Sequence, residues 1–142
     1  MGADPIAGIR YQASLDGIRA SMRRGFFAGW PNPPLPEAHL GILRGSDHLV
    51  LALDETTGDV VGFITAISDG VSCAFIPHLE VLPSYRRRGI GTELVRRLLA
   101  AIGELYAVDL LCDPSVRPFY LRLGMLPQAG MCLRRYERQS CE

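Results

Sequence analysis

The stretch Val81-Leu-Pro-Ser-Tyr-Arg-Arg-Arg-Gly-Ile-Gly-Thr92 constrains the chain more than any other, because the hydrophobic period changes across it. Before it, Cys73–Leu82 is an apolar run of strand length. After Gly91, the residues Leu94, Val95, Leu98, Leu99 and Ile102 recur at helical spacing, while Glu93, Arg96 and Arg97 fall on the opposite side. Tyr106–Cys112 is apolar again and reads as a buried strand. A helix joining strands near positions 82 and 106 implies a right-handed βαβ crossover with parallel strands.

The flanking sequence fits around that unit as one domain over residues 1–142. Ile6–Gln12 reads as a first strand, followed by a helix from Ser14, an N-cap residue, to about Arg24. Gly25–Pro36 combines aromatic residues with four prolines and is not regular helix. A second helix starts at Pro36 and runs toward Leu43. His48–Leu53 and Val60–Ile67 read as hairpin arms about the turn Asp54–Asp59, and Asp69-Gly70 turns the chain into Cys73–Leu82. Asp113-Pro114 or Ser115 opens a short helix ending at Gly124, and Met131–Tyr136 reads as a last strand. The order is β-α-α-β-β-β-α-β-α-β. The hairpins make antiparallel pairs, so the expected fold is α/β with a mixed sheet.

Composition removes several function classes. All 15 basic residues are Arg, so no lysine Schiff base or Walker-type lysine is available. Formal net charge is zero, which argues against a broad nucleic-acid surface. No apolar run approaches the roughly 20 residues that span a bilayer. The start, Met1-Gly-Ala-Asp-Pro-Ile, lacks the pattern of a secretory signal, and Ile6 breaks the myristoylation motif, so the expected compartment is the cytoplasm. Cys73, Cys112, Cys132 and Cys141 match neither zinc-ligand spacing nor a disulfide framework. The first, second and third lie in apolar segments and read as core thiols; no metal site is expected.

A strand that ends in a loop of three arginines and two glycines and then enters a helix has the parts of a pyrophosphate site. The first N–H groups of a helix are unsatisfied, glycine lets a ligand approach the backbone, and arginine adds forked donors. The same residues also suit a solvated turn. The pattern is not a Walker loop, and Leu94 stands where the dinucleotide fingerprint has its third glycine.

Arg86-Arg-Arg-Gly89-Ile-Gly91 resembles the R/Q-x-x-G-x-G/A signature of the GNAT acyltransferase superfamily, with V-L-P-S-Y before it and an amphipathic helix after it. Pro118-Phe-Tyr-Leu-Arg-Leu-Gly-Met125 resembles that family's second motif. The resemblance covers about positions 48 to 126. It implies a central mixed sheet whose parallel strands splay apart, flanking helices, and acetyl-CoA entering the wedge. It sets Leu79, Val81, Arg86, Arg87, Arg88, Gly89, Ile90, Gly91, Thr92, Asp113 and Phe119 against that cofactor, with the Val81 backbone bonding the pantetheine arm. Asp113 departs from the asparagine common in the family and also suits a helix cap. Pro77 marks an edge strand or a bulge.

The resemblance further implies acetyl transfer to a primary amine by direct attack. Tyr120 takes the position of the tyrosine that protonates the coenzyme A sulfur; its ring also suits packing beside Phe119. Glu80 is the first choice of base, with His78 second, and a backbone N–H near Val81 is the oxyanion donor. Strand alternation puts His78 and Glu80 on the face opposite Leu79 and Val81 unless a bulge resets it. The aromatics of Phe26–Trp30 suit either packing or cation–π contact with an amine. A covalent intermediate on Cys112 is the rival mechanism. Rival functions are a non-catalytic coenzyme A sensor and a phosphate or nucleic-acid binder using Arg86–Arg88. The C-terminal strand offers a means of pairing across a homodimer.

Overall fold

A computed structural model describes residues 7–22 and 24–142. Five strands form one sheet in the order of the chain: β1 (Ile9–Gln12), β2 (His48–Asp54), β3 (Val60–Ser68), β4 (Cys73–Val81) and β5 (Ala107–Asp109). The first four run antiparallel to their neighbours, and β4 and β5 run parallel. The helices are α1 (Pro36–Gly45), α2 (Ile90–Ile102) and the short α3 (Arg117–Arg122). The sheet is mixed, as the sequence predicts. No helix among the described residues is long and apolar enough to cross a membrane.

Local chemistry sets the turns. Asp54 Oδ1 accepts the N–H groups of Thr56 and Thr57 at 2.8 and 3.4 Å, closing the β2–β3 hairpin through Gly58 at φ +77°. Asp69 Oδ1 accepts from Val71, Ser72 and Cys73 in the same way and turns β3 into β4. Helix α1 begins on Pro36, whose fixed φ suits a first helical position, with Glu37 in its first turn and Arg44 in its last.

The sheet carries a separate core on each face. On one face α2 buries Ile90, Leu94, Val95 and Leu98 against Val50, Ile64, Ala66 and Ile76. On the other, Leu43 of α1 joins Phe26 and Phe27 of the connecting loop against Leu51, Leu53 and Phe63. Helix α2 lies so close to β3 that a Cβ at Gly62 would stand 3.2 Å from Leu94 Cδ1 and 3.4 Å from both Glu80 O and Ile90 Cγ2.

Two irregularities in β4 position everything that follows. Thr65 pairs with His78 and Ile67 with Phe75, so Ala66 alone opposes both Ile76 and Pro77. Pro77 therefore sits in a β-bulge, one of the places a strand tolerates a missing N–H. The bulge shifts the alternation: Ile76 packs toward α2, while His78 and Glu80 turn to the face of α1 and leave Leu79 and Val81 toward α2. At the same place the sheet opens. Strand β5 pairs with β4 only at Cys73/Ala107, Ala74/Val108 and Phe75/Asp109, and beyond Phe75 no strand among the described residues lies beside that edge of β4.

Four sequence expectations change. The segment from Ser14 to Arg24 is not a helix but holds only a 3-10 turn at Ala20–Met22, because Gly17 is left-handed at φ +74° and the Gln12 side chain ties down the carbonyls of Ser14 and Asp16; Arg23, like Ile6 in the first strand, lies outside the described residues. Strand β5 is shorter than Tyr106–Cys112, and Tyr106 is 93% exposed. Met131–Tyr136 joins no ladder, and Tyr136–Arg138 is a 3-10 turn. All four cysteines are exposed, so none is a core thiol.

The Gly62 contact gives a stability prediction. Gly62→Val should cost about 1–3 kcal/mol, the range for overpacking a filled core, read as a lower urea midpoint. A midpoint equal to that of the unaltered protein would contradict the close helix–sheet approach.

Candidate active site

The end of β4 presents backbone to an open edge. Leu82 N–H donates to Val61 O at 2.8 Å, toward β3. Successive backbone groups of a strand point to opposite sides, so Val81 N–H and C=O point away from β3 into the gap left by β5. The Val81 carbonyl accepts from Arg86 Nε at 2.9 Å. The loop that follows is pinned at Tyr85, whose hydroxyl donates to Asp54 Oδ2 at 2.6 Å. That bond, with Thr56 N–H, holds the Asp54 carboxyl below its ordinary pKa and raises that of Tyr85. The Arg88 guanidinium lies over the Tyr85 ring, 5.5 Å from its centre.

The loop bends through two left-handed residues, Arg87 at φ +63° and Gly89 at φ +83°. Gly89 is the N-cap of α2, and the first bond of the helix runs from Glu93 N–H to Gly89 O at 3.1 Å. The N–H groups of Ile90, Gly91 and Thr92 precede that bond and stay open at the positive end of the helix dipole. Gly91 has ordinary helical φ, and a Cβ there would make ordinary van der Waals contact with two other elements. A Cβ there would sit 3.6 Å from Phe119 Cζ and 3.9 Å from Val81 Cγ2. The strand end, the helix start and α3 thus meet at one point.

The chain reaches α3 through a 3-10 turn at Pro114–Val116. Asp113 precedes that turn; its carbonyl accepts from Val116 N–H at 2.9 Å, and its exposed side chain makes no capping bond. Tyr120 packs edge-to-face on Phe119 with ring centres 4.9 Å apart. Burial, with a smaller effect from Cys112, pushes the Tyr120 phenol up to about 12, so it holds its proton across the neutral range.

On the other face of β4 lies a cleft of about 250 Å³ walled by Phe27, Trp30, Phe63, His78, Glu80 and Arg86. Its outer wall is the loop that follows Gly25, which turns through Gly25 at φ +84°, Phe27 at +62° and Gly29 at +83°. A left-handed phenylalanine is strained and needs an external hold. Glu80 supplies it: Oε1 accepts Phe27 N–H at 2.6 Å and Oε2 accepts Ala28 N–H at 3.2 Å. Two successive N–H groups form a small nest for an anion, filled here by a carboxylate of the same chain. His78 stands among the rings of Phe27, Phe63 and Trp30, 5.9–6.3 Å from each. Its burial lowers its pKa below the ordinary histidine value.

The structure therefore brings Val81, Gly91 and Phe119 together beside the open start of α2, with Tyr120 on the same short helix as Phe119 and Leu79 at the border of both clefts. Asp113 stays exposed at its turn. Sequence reasoning missed the Tyr85–Asp54 bond and the hold of Glu80 on Phe27 and Ala28. Each joins residues far apart in the chain, and only the glycines at 25 and 29 hinted that the second loop needed fixing.

Comparison with known proteins agrees with this geometry. A family model, Acetyltransferase (GNAT) family, matches residues 15–125. The crystal structure of a protein from Deinococcus radiodurans R1, provisionally described as an acetyltransferase, superposes with a TM-score of 0.94 at 46% identity, over 99% of this chain and 97% of that one. A GNAT family acetyltransferase from Streptococcus pneumoniae TIGR4 superposes at 0.67 with 30% identity, over 89% of this chain and 98% of that one. The GCN5-related N-acetyltransferase 3, chloroplastic, of Arabidopsis thaliana is 38% identical over 74 residues, 51% of this chain. The aligned part makes up only 31% of that plant protein's length. With a family model spanning most of its length and a splayed strand pair facing an open helix N-terminus, the chain belongs to the GNAT acetyltransferase family.

Proposed function

We propose that this domain transfers the acetyl group of acetyl-CoA to a primary amine by direct attack. The observation that carries the reading is the parting of β4 from β5 beyond Phe75, which leaves the Val81 backbone aimed into a gap beside the start of α2. The residues present fit the cofactor. The open N–H groups of Ile90, Gly91 and Thr92 suit a pyrophosphate, and the loop just before them carries Arg86, Arg87 and Arg88 as forked donors for its oxygens. The Val81 N–H suits an amide carbonyl of the pantetheine arm or the oxyanion formed during transfer. Bound acetyl-CoA supplies the acetyl group as an activated thioester.

This chain's residues supply the proton movements. Tyr120 Oη keeps its proton at neutral pH, and we assign it as the donor to the departing thiolate. For the base, the cleft of Phe27 and Trp30 offers two groups. Both oxygens of Glu80 are engaged by the loop N–H groups, which supports a positioning role for it. His78 stands two residues earlier on the same face and is neutral near pH 7 because burial disfavours its charged form. We assign His78 as the base that receives the amine's proton, and the aromatic cleft around it as the acceptor's entry.

Tyr120→Phe keeps the ring against Phe119 and removes one hydroxyl. Turnover should fall about 10²–10⁴-fold, with acetyl-CoA affinity by calorimetry nearly unchanged. Near-normal turnover would take the donor role from Tyr120. If the protein binds acetyl-CoA tightly and no amine in a broad panel releases thiol, the catalytic reading fails in favour of a cofactor sensor.

The two groups on β4 separate by pH profile. Only neutral imidazole accepts a proton, so activity should rise with pH through the lowered His78 pKa, with its midpoint below about 6.5. His78→Gln should abolish that acidic limb and lower the plateau. Glu80→Gln should raise the acceptor KM while the limb keeps its position. A limb lost in Glu80→Gln and kept in His78→Gln would return the base role to Glu80.

A further inference from the structure

The Val81 carbonyl points into the gap beside β4, and in the free protein it is already taken. Arg86 Nε donates to it at 2.9 Å. By the alternation that sends Leu82 N–H to Val61, both Leu79 and Val81 turn their backbone N–H and C=O to the gap. No strand among the described residues meets them there. Val81 is also the residue of that edge that lies near Gly91 at the start of α2. The Arg86 side chain therefore stands where the strand edge meets the helix start. Its bond answers a local need, because a backbone acceptor turned away from its own sheet favours a donor. Nothing else fastens the guanidinium strongly: Arg86 is exposed and makes no ion pair among the described residues. Arg88, by contrast, lies on the Tyr85 ring.

We propose that Arg86 sets which acyl donors the domain accepts: its side chain closes the gap at Val81 until a pyrophosphate at the start of α2 draws it off and opens the edge. This rests on the reading that acetyl-CoA lies in that gap, and it adds a condition to that reading. An amide of the pantetheine arm and the Arg86 guanidinium compete for one carbonyl from one side. A hydrogen bond from guanidinium to a phosphate oxygen, in which both partners are charged, is stronger than one to a neutral carbonyl. A donor that carries a pyrophosphate thus replaces the weaker bond with a stronger one and frees the Val81 carbonyl for its own amide. A donor with the same arm and no phosphate must break the Arg86 bond without replacing it. The domain therefore discriminates coenzyme A thioesters from shorter pantetheine thioesters, and it does so at the arm as well as at the phosphates.

Binding of two donors to the unaltered protein and to Arg86→Ala reads this out without turnover. Acetyl-CoA carries the pyrophosphate, and S-acetylpantetheine carries the same arm and thioester with no phosphate. Arg86→Ala should bind acetyl-CoA about 10-fold more weakly or worse, and S-acetylpantetheine about 3–10-fold more tightly. A residue that only shaped the loop would weaken both. The second arm uses the unaltered protein and does not depend on the variant folding: in amide NMR titrations, inorganic pyrophosphate should raise the affinity for S-acetylpantetheine about 3-fold or more, with the reciprocal effect on pyrophosphate. That coupling should vanish in Arg86→Ala. Binding of S-acetylpantetheine that is equal, weaker or undetectable in Arg86→Ala, or an unaltered protein that shows no coupling, would overturn the proposal, and tight acetyl-CoA binding beside either result would leave the cofactor reading standing. An unaltered protein that does not bind acetyl-CoA would remove both.

Discussion

The fold depends on one refusal to pair. Strands β4 and β5 begin side by side, and after three residue pairs the bulge at Ile76–Pro77 carries β4 away. A proline has no N–H to give a neighbouring strand, so continuing the ladder there would leave it incomplete. Once the strands separate, the backbone of β4 from His78 to Val81 keeps its bonds to β3 on one side, and on the other it meets no strand among the described residues, with the Val81 carbonyl held by Arg86. Unpaired backbone groups favour a ligand that brings amides of its own. The start of α2 faces the same opening, and its uncapped N–H groups favour negative charge. One local defect thus produces an extended hydrogen-bonding edge and aligns it with the open start of α2.

The same bulge divides labour between the faces of β4. Leu79 and Val81 turn toward α2, whereas His78 and Glu80 turn toward the aromatic loop. In our reading the nucleophile enters by the aromatic face and the leaving group departs by the α2 face, with the Val81 backbone between them. Glu80 grips Phe27 and Ala28, so the wall of the aromatic cleft is tied to β4. Tyr85 ties the loop before α2 to the β2–β3 turn through Asp54 in the same manner. Both loops are held by carboxylates at sheet positions, which suits a site that must keep its geometry when empty.

Much of this was legible in the sequence where the signal was local. The change of period across Val81–Thr92 gave the strand, the loop and α2, and Asp54, Asp69 and Pro36 announced their turns and helix start. Pro77 announced a bulge or an edge, and the bulge is what formed. Reading failed where a local pattern was outvoted by neighbours. Ser14 looked like a helix cap, but Gly17 and the Gln12 side chain impose turns instead. Met131–Tyr136 has the composition of a strand, yet it pairs with no strand among the described residues. The cysteines of apolar segments looked like core residues because periodicity does not reveal which segments lie at the end of a sheet. The hold of Glu80 on the loop was invisible for another reason: a carboxylate that captures backbone N–H groups 52 and 53 positions away leaves no trace in spacing.

In our reading the cofactor lies in the gap between β4 and β5. Hydrogen–deuterium exchange with and without acetyl-CoA addresses that gap residue by residue in the unaltered protein. The account predicts slowed exchange at the amides of Val81 and of Arg87 through Thr92, with the amides of α1 and of the β2–β3 hairpin unchanged. Protection absent from Val81 and the start of α2, or confined to the α1 side of the sheet, would contradict it.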